Sequence, residues 1–221
     1  MGVYREQARA VLMDAAEELF ATHGIDAVSG RRIAEHTNNA NHSAVSYHFG
    51  SRDGLLRAIV ARQAERTDSR RCELMDRLGD APDLHDLMGC LIVPLTDQFA
   101  AVEGASWHAR FIRQLRATPS SMEVLKDSAV GDTAVADLLE KVRELLSDIP
   151  VVVLTTRFWM LGLMVIDVCA EYETKLQNEP DVEADWTSVA RSLVDACVGT
   201  LGAEVTSEAE LLGGRRAALW L

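Results

Sequence analysis

The chain has 221 residues, of which 48% are hydrophobic and 25% are charged, and its formal net charge is −12. These values indicate an ordinary globular protein that can bury a sizeable core, and the acidity argues against a uniformly basic nucleic-acid-binding domain. The charge is unevenly distributed, because residues 1–60 carry six Lys/Arg and seven Asp/Glu whereas residues 81–221 carry eleven and twenty-two. The N-terminal part is therefore nearly neutral, and the acidic excess lies in the C-terminal part.

Cysteine usage and hydropathy narrow the class of protein further. No two cysteines have the Cys-x-x-Cys spacing, so neither a zinc site nor a disulfide framework is indicated. We expect reduced thiols in the core at Cys72, Cys90, Cys169 and Cys197. The sequence has no basic-then-apolar leader, and Arg157 and Asp167 interrupt the most apolar run, residues 149–170. We therefore expect a cytoplasmic protein without a membrane span.

Three short helices are predicted in the first 60 residues. Apolar residues recur at three- and four-residue steps from Arg5 to His23 and predict an amphipathic helix that ends at Gly24. Ser29 has the position of an N-cap for a second helix, which we expect to end near Thr37. Asn38 and Asn39 then form a turn, because asparagine tolerates the left-handed conformation. Asn41 or Ser43 caps the third helix.

The third helix is unusually polar for its length. Ala44 and Val45 can pack inward, which leaves donor and acceptor groups on the other side, at His42, Ser43, Ser46, Tyr47 and His48. A short polar helix that is braced by a second helix across a tight turn suits the major groove of double-stranded DNA. The segment is therefore predicted to read DNA.

The run from Ala44 to Leu56, with Ile33 and Ala34 before it, resembles the N-terminal domain of the TetR family of transcriptional regulators. The first helix fits the same pattern, and the resemblance covers roughly residues 5–60. The turn differs, because Thr37, Asn38 and Asn39 stand where the family usually has a small residue and glycine, and residues 33–49 are one residue longer. This leaves the register of the recognition helix open.

The resemblance implies a helix-turn-helix DNA-binding domain at residues 1–60 and a helical effector-binding and dimerisation domain at residues 61–221. It also implies a homodimer that binds a palindromic DNA operator. For direct base contacts we expect Asn41, His42, Ser43 and Ser46. For phosphate contacts we expect Ser29, Arg31, Tyr47, His48 and Arg52.

The remainder of the chain is predicted to be helical throughout. Ser51 caps a fourth helix, whose start returns to the N-terminal core and whose polar continuation is a solvated connector that ends at residues 79–82. Further helical patterns cover residues 83–102, 106–117, 120–147, 150–177 and 182–203, separated by glycine and proline breaks. No stretch of the sequence has the alternating pattern of a strand, so we predict an all-α fold.

The helix at residues 83–102 is interrupted in the sequence at Gly89 and Pro94, and the proline, which removes an amide donor, is expected to kink it and to leave a gap. The resulting gap is a candidate pocket for a small apolar effector, since the C-terminal domains of the family typically bind such molecules. Its candidate lining residues, each of which is alternatively ordinary core, are Met88, Leu91, Ile92, Trp107, Phe111, Trp159, Met160 and Met164.

The helix after Pro150 is apolar nearly all round and must be covered on most sides. We expect it to form a two-fold interface together with the last helix, as in family members, with burial inside one subunit as the alternative. Arg157 is expected to contact the effector or to cross that interface.

Enzymatic signatures are missing from the sequence. It contains no Gly-x-Ser-x-Gly elbow, no phosphate-binding glycine loop and no His-Glu-x-x-His motif, and His42 and His48 lack further metal ligands at suitable spacing. We therefore predict no enzyme, no cofactor and no metal. The sequence favours a ligand-responsive transcriptional regulator, specifically a repressor released by a small hydrophobic effector. The alternative is a dimeric helical ligand-binding or interaction protein whose head does not bind DNA.

Overall fold

The computed structural model describes residues 2–37, 41, 43–102, 106–121, 124 and 133–206. In this part of the chain nine α-helices and one 3-10 turn are formed, and no strand. The helices are α1 Gly2–His23, α2 Gly30–His36, α3 Ala44–Phe49, α4 Arg52–Met75, α5 Leu84–Ala100, α6 His108–Ala117, α7 Thr133–Leu145, α8 Val151–Asn178 and α9 Trp186–Leu201, with the 3-10 turn at Pro119–Ser121. The all-α class predicted from the sequence is confirmed.

The N-terminal helices pack around a shared apolar core. α2 contacts α1 and α3, and α3 contacts the start of α4. Fully buried side chains from all four helices meet there, including Leu12, Phe20, Ile33, Val45 and Leu55. Each contributes about 1.5–3 kcal/mol by leaving water. This core fixes the position of α3 relative to α1.

The predicted helix boundaries in this region are confirmed by their caps. Ser29 Oγ accepts a hydrogen bond from the Arg32 amide at 3.2 Å, and Ser51 Oγ accepts one from the Gly54 amide at 3.0 Å. Gly24 has φ +84°, the left-handed conformation that ends α1. The predicted turn at Asn38 and Asn39 lies outside the described residues.

The connector predicted in the second half of α4 is only partly solvated. α4 packs against α5, and Gln63, Thr67 and Arg71 on it are buried. Their polar groups have partners, since Thr67 Oγ1 donates to the Gln63 carbonyl and Arg71 donates to Asp68. The polar sequence of this segment therefore reflects buried hydrogen bonds as well as contact with water.

The interruption predicted in the fifth helix is not found. α5 runs from Leu84 to Ala100 through Gly89 and Pro94 without a break. Its start is fixed by a capping box between Asp83 and Asp86. Pro94 is buried among core side chains, and tertiary packing of this helix outweighs the single amide that proline lacks.

The C-terminal helices form a bundle in which α5 contacts α9 and α6 contacts α8. The helix predicted at residues 120–147 is described only as the 3-10 turn and α7. The last helix is shorter than predicted and begins after Asp185, whose carboxylate accepts from the Ser188 amide at 2.9 Å. α8 is long and apolar enough to cross a membrane by length and composition alone, a test that core helices of folded proteins also pass.

The cysteine prediction is correct at three positions and wrong at one. Cys90, Cys169 and Cys197 are buried, and burial raises the pKa of Cys169 and Cys197 to about 12. Cys72 is exposed because it lies on the outer side of α4.

Candidate nucleic-acid interface

The short helix α3 has one buried side and one exposed side. Ala44 and Val45 are buried, at 1% and 3% exposure, as the sequence predicts. Ser43 and Ser46 are exposed, and Tyr47 is 71% exposed. The buried side holds the helix against the core. The exposed side presents the hydroxyl groups of a tyrosine and two serines, which can form hydrogen bonds with a partner.

The start of α3 is organised by Asn41 rather than by the side chain of Ser43. Asn41 Oδ1 accepts from the Ser43 amide at 3.0 Å, and the Asn41 carbonyl accepts from the Ala44 amide at 3.0 Å. Ser43 is the N-cap residue, but its side chain makes no capping hydrogen bond. Its hydroxyl is therefore not used by the helix start. His42, a predicted base contact, lies outside the described residues.

The end of α3 is held by Arg9 on α1. The Arg9 guanidinium donates to the His48 carbonyl and lies 4.4 Å from the centre of the Phe49 ring. Phe49 packs against the core. Because Arg9 combines a hydrogen bond with a cation–π contact, it links α1 directly to the exposed helix.

His48, a predicted phosphate contact, is half-buried and neutral. Its side chain is half-buried, and Nδ1 has no hydrogen-bond partner among the described residues. Burial lowers the pKa of His48, and the positive charges of Arg5 and Arg9 lower it further. Near neutral pH the imidazole therefore offers a hydrogen bond to a phosphate rather than a charge.

The predicted phosphate contacts before and after α3 already have partners within the chain. Ser29 caps α2, and the exposed Arg31 pairs with Glu35 at 2.7 Å. Arg52 is 36% exposed and lies 3.5 Å from Asp26. These pairs are on the surface and weak, so a phosphate can compete for both guanidinium groups.

The helix-turn-helix segment can be compared with known families. Residues 12–59 match the family described as bacterial regulatory proteins, tetR family. The segment is similar to that family, and we call it the tetR-family domain. No curated protein shows significant similarity to the chain.

Solved structures extend the likeness beyond the tetR-family domain. The fatty acid degradation regulator FadR from Bacillus halodurans is 19% identical with a TM-score of 0.56, and 89% of this chain matches 97% of that chain. A putative TetR-family transcriptional regulator from Rhodococcus sp. is 17% identical with a TM-score of 0.55, covering 89% of this chain and 100% of that one. A putative TetR-family transcriptional regulator from Mesorhizobium loti MAFF303099 is 15% identical with a TM-score of 0.51, and 89% of this chain matches 96% of that chain. At such identities the likeness concerns the fold.

A buried polar cluster joins the tetR-family domain to the bundle, and the sequence did not reveal it. Glu17 on α1 is 6% exposed, and its carboxylate lies 2.7 Å from His108 Nδ1 on α6. The same carboxylate accepts from Arg62 at 3.0 Å and from Gln63 at 3.1 Å, both on α4. The sequence offered only one hint, a carboxylate directly beside the apolar stripe of α1.

The charge of Glu17 is stabilised within this cluster. Burial by itself raises the pKa of the Glu17 carboxyl, but the hydrogen bond and charge of His108, the charge of Arg62 and the hydrogen bond from Gln63 outweigh it. The pKa of Glu17 is therefore lowered, and the cluster contains a buried carboxylate at neutral pH.

A second buried carboxylate holds the start of α6. Glu173 on α8 is 1% exposed and accepts from the amides of Ala109 at 3.1 Å and Arg110 at 3.0 Å. These are free amides of the first helical turn, which favour a negative charge. Since His108 opens the same helix, α6 is fixed at one end to both α8 and α1.

Most of the predicted effector-pocket residues lie apart from the cavity found in the described part of the chain. Met88, Leu91, Ile92 and Phe111 are buried in the core, Trp159 and Met164 are half-buried, and Met160 is 48% exposed on α8. A cavity of about 470 Å³ lies elsewhere in the described part, between α1, the end of α2, α4, α5 and the start of α6. Among the predicted residues only Trp107 lines it.

Arg157 has a different role from the one predicted. Its guanidinium donates to the carbonyls of Leu201 at 2.6 Å and Ala203 at 2.7 Å. It therefore satisfies backbone acceptors at the end of α9, which a cation at a helix C-terminus does favourably. The side chain is 9% exposed, and these hydrogen bonds are to groups of the same subunit.

Proposed function

We propose that the chain is a ligand-responsive, DNA-binding transcriptional regulator that acts in the cytoplasm as a homodimer and a repressor. Residues 1–60 are its DNA-binding domain, and residues 61–221 are its effector-binding and dimerisation domain. The observation that carries this proposal is the tetR-family match over residues 12–59, on which the polar side of α3 is exposed. The similar fold of two putative TetR-family transcriptional regulators supports it.

In the proposed complex α3 enters the major groove. Asn41, Ser43 and Ser46 contact base edges, as does His42. Tyr47 and His48 contact the phosphates next to the groove, and so do Ser29, Arg31 and Arg52. The near neutrality of residues 1–60 means that few counterions are released, so DNA affinity should fall only modestly with salt.

The homodimer is proposed to form through α8 and α9. Met160, Met164 and Val168 recur at four-residue steps along α8, and the first and last of these are 48% and 43% exposed. Such a row of apolar side chains on a 28-residue helix is a suitable surface for a second copy. Two-fold symmetry then matches a palindromic operator with half-sites about one helical turn apart.

Release from DNA is proposed to follow effector binding. A small hydrophobic molecule that binds the bundle shifts α4 relative to α1, which changes the distance between the two copies of α3. It needs only a preference of about 1–3 kcal/mol for the non-binding state to change the affinity for DNA.

The test is selection of genomic DNA fragments on the purified protein at two salt concentrations. A variant with both Tyr47→Ala and Arg52→Ala serves as the negative control, and Arg77→Gln, an exposed arginine outside the tetR-family domain, serves as the matched one. Recovery of one palindromic sequence by the wild type and Arg77→Gln, but not by the double variant, supports the proposal. Recovery of no specific sequence by the wild type contradicts it and favours the helical ligand-binding protein with a DNA-incompetent head.

A further inference from the structure

The cavity between the tetR-family domain and the bundle has walls from both parts of the protein. Val11, Asp14 and Glu17 contribute from α1, Arg62 and Arg66 from α4, and further side chains from α5, α6 and the end of α2. Its volume, about 470 Å³, is in the range of pockets that hold small molecules, about 300–1,000 Å³. A molecule bound here would touch both parts at once.

The carboxylates that line the cavity already have partners. Asp14 pairs with Arg62 at 2.7 Å, and Glu18 lies 3.3 Å from His36. Glu17 is held by Arg62, Gln63 and His108. Each of the three carboxylates therefore has a partner on the protein side, and Asp14 and Glu17 share Arg62.

Arg66 differs from these groups. It lines the cavity, its side chain is exposed, and it makes no ion pair with any of the described residues. A guanidinium offers five N–H donors in a planar fork that fits a carboxylate. Among the described lining residues, Arg66 is thus a cationic group that is available to a ligand.

Two buried atoms of the lining also lack partners in the described part of the chain. Arg62 Nε is an unused donor, and Gln98 Oε1 is an unused acceptor because the Gln98 amide donates to Gln63 through its nitrogen. Buried polar atoms without a partner are uncommon and costly in folded proteins. Both atoms are closed to solvent in this structure, so a ligand that contacts them must first displace the two side chains.

Apolar side chains form another part of the lining. Phe99 is buried and Trp107 half-buried, while Val11 and Val102 are 47% and 42% exposed. The two valines come from different elements, since Val11 lies on α1 and Val102 lies two residues after the end of α5. A hydrocarbon chain or an aromatic ring would cover apolar surface that now faces water.

From these observations we infer that the junction cavity binds a small organic acid. Its carboxylate pairs with Arg66, and its apolar body lies against Phe99, Trp107 and the two valines. Occupancy couples the position of α1 to that of the bundle. The binding site is independent of the proposed function, whereas control of DNA affinity by this acid depends on it.

Binding is tested by titration calorimetry of the full chain with phenylacetate, 3-phenylpropionate and 4-hydroxyphenylacetate, each beside its uncharged amide. We expect at least one acid to bind with a dissociation constant of about 1 mM or lower. The wild type should bind the corresponding amide about tenfold more weakly than the acid, and Arg66→Gln should bind the acid about tenfold more weakly than the wild type does. This factor is the equivalent of one charge-assisted hydrogen bond. Arg77→Gln is the matched control and should bind as the wild type does, while Val11→Trp, which fills the cavity from α1, should abolish binding.

Three outcomes would overturn the inference. The first is that none of the acids binds the wild type at concentrations up to about 10 mM. The second is that Arg66→Gln binds as tightly as Arg77→Gln. The third is that Val11→Trp binds normally while unfolding at the wild-type temperature.

Retention of the selected DNA fragment, measured with and without the bound acid, tests the coupling separately. A change in retention of about fivefold or more supports the coupling, and no change overturns it. If the wild type retains no specific DNA at all, the proposed function fails, and the calorimetric result alone decides the cavity assignment.

Discussion

His108 Nδ1 on α6 lies 2.7 Å from Glu17 Oε1 on α1, and both side chains are almost completely buried. The Glu17 carboxylate also accepts from Arg62 and Gln63 on α4, so three helices meet at one charge. A buried ion of this kind is stable only while its partners remain in place. The relative position of the tetR-family domain and the bundle therefore depends on this cluster.

Replacing Glu17 by glutamine should strongly destabilise the fold. The variant removes the charge that faces Arg62 and His108, and breaking a buried pair of this kind costs about 3–5 kcal/mol. Glu18→Gln is the matched control, because the partner of Glu18 is exposed. This substitution should lower the free energy of unfolding by about 0–1 kcal/mol. Urea unfolding of both variants measures the difference. Equal stabilities would contradict a structural role for the cluster.

The contribution of Glu17 should also depend on pH in a defined direction. The pKa of its carboxyl is lower in the folded chain than its ordinary value of 4.5. The stabilisation is therefore complete above about pH 4.5 and is lost as the pH falls through the folded-state pKa. The stability difference between wild type and Glu17→Gln should narrow in acid unfolding series below that pH. A difference that widens there would contradict the lowered pKa.

Glu173→Gln should loosen the start of α6. Glutamine retains one acceptor oxygen for the two amides of Ala109 and Arg110, and Arg110 loses the carboxylate 3.5 Å from its Nε. We expect a loss of about 2–3 kcal/mol in the free energy of unfolding. Glu171→Gln, two residues away on α8 with an exposed Arg113 partner, should change it by about 0–1 kcal/mol. A smaller loss for Glu173→Gln than for its control would refute this assignment.

Ser46→Ala tests the base contacts proposed for α3. The hydroxyl is exposed, so the melting temperature should be unchanged while affinity for the selected operator falls about tenfold through loss of one base contact. Ser69→Ala removes an exposed hydroxyl from α4 and should leave DNA affinity unchanged. Electrophoretic mobility shift at fixed salt compares the two variants. Equal DNA affinities of the two variants would contradict a base contact of Ser46.

The proposed dimer surface on α8 can be tested by placing charges on it. Met160→Asp combined with Val168→Asp should raise the dimer dissociation constant about a hundredfold or more, since each side chain would otherwise bury apolar surface worth about 1.5 kcal/mol. Val182→Asp, at an exposed valine outside the helices, is the control. Sedimentation velocity reports the oligomeric state. Persistence of the dimer in the double variant would place the interface on another surface.

The sequence by itself determined the features that depend on a few neighbouring residues. The helix starts at Ser29 and Ser51, the end of α1 at Gly24 and the inward packing of Ala44 and Val45 follow from capping, backbone preference and periodicity, all of which act within one or two helical turns. The tetR-family resemblance rests on the same local pattern and was confirmed for the segment at residues 12–59.

Only the tertiary structure decided which polar side chains are buried and which cavity they form. Glu17 and His108 are 91 positions apart, and the one local hint for Glu17, its place beside the apolar stripe of α1, is shared by its half-buried neighbour Glu18. The same holds for Glu173 at the start of α6 and for Arg157 at the end of α9. These contacts arise where helices far apart in sequence cross, so their partners were fixed by packing of the whole chain.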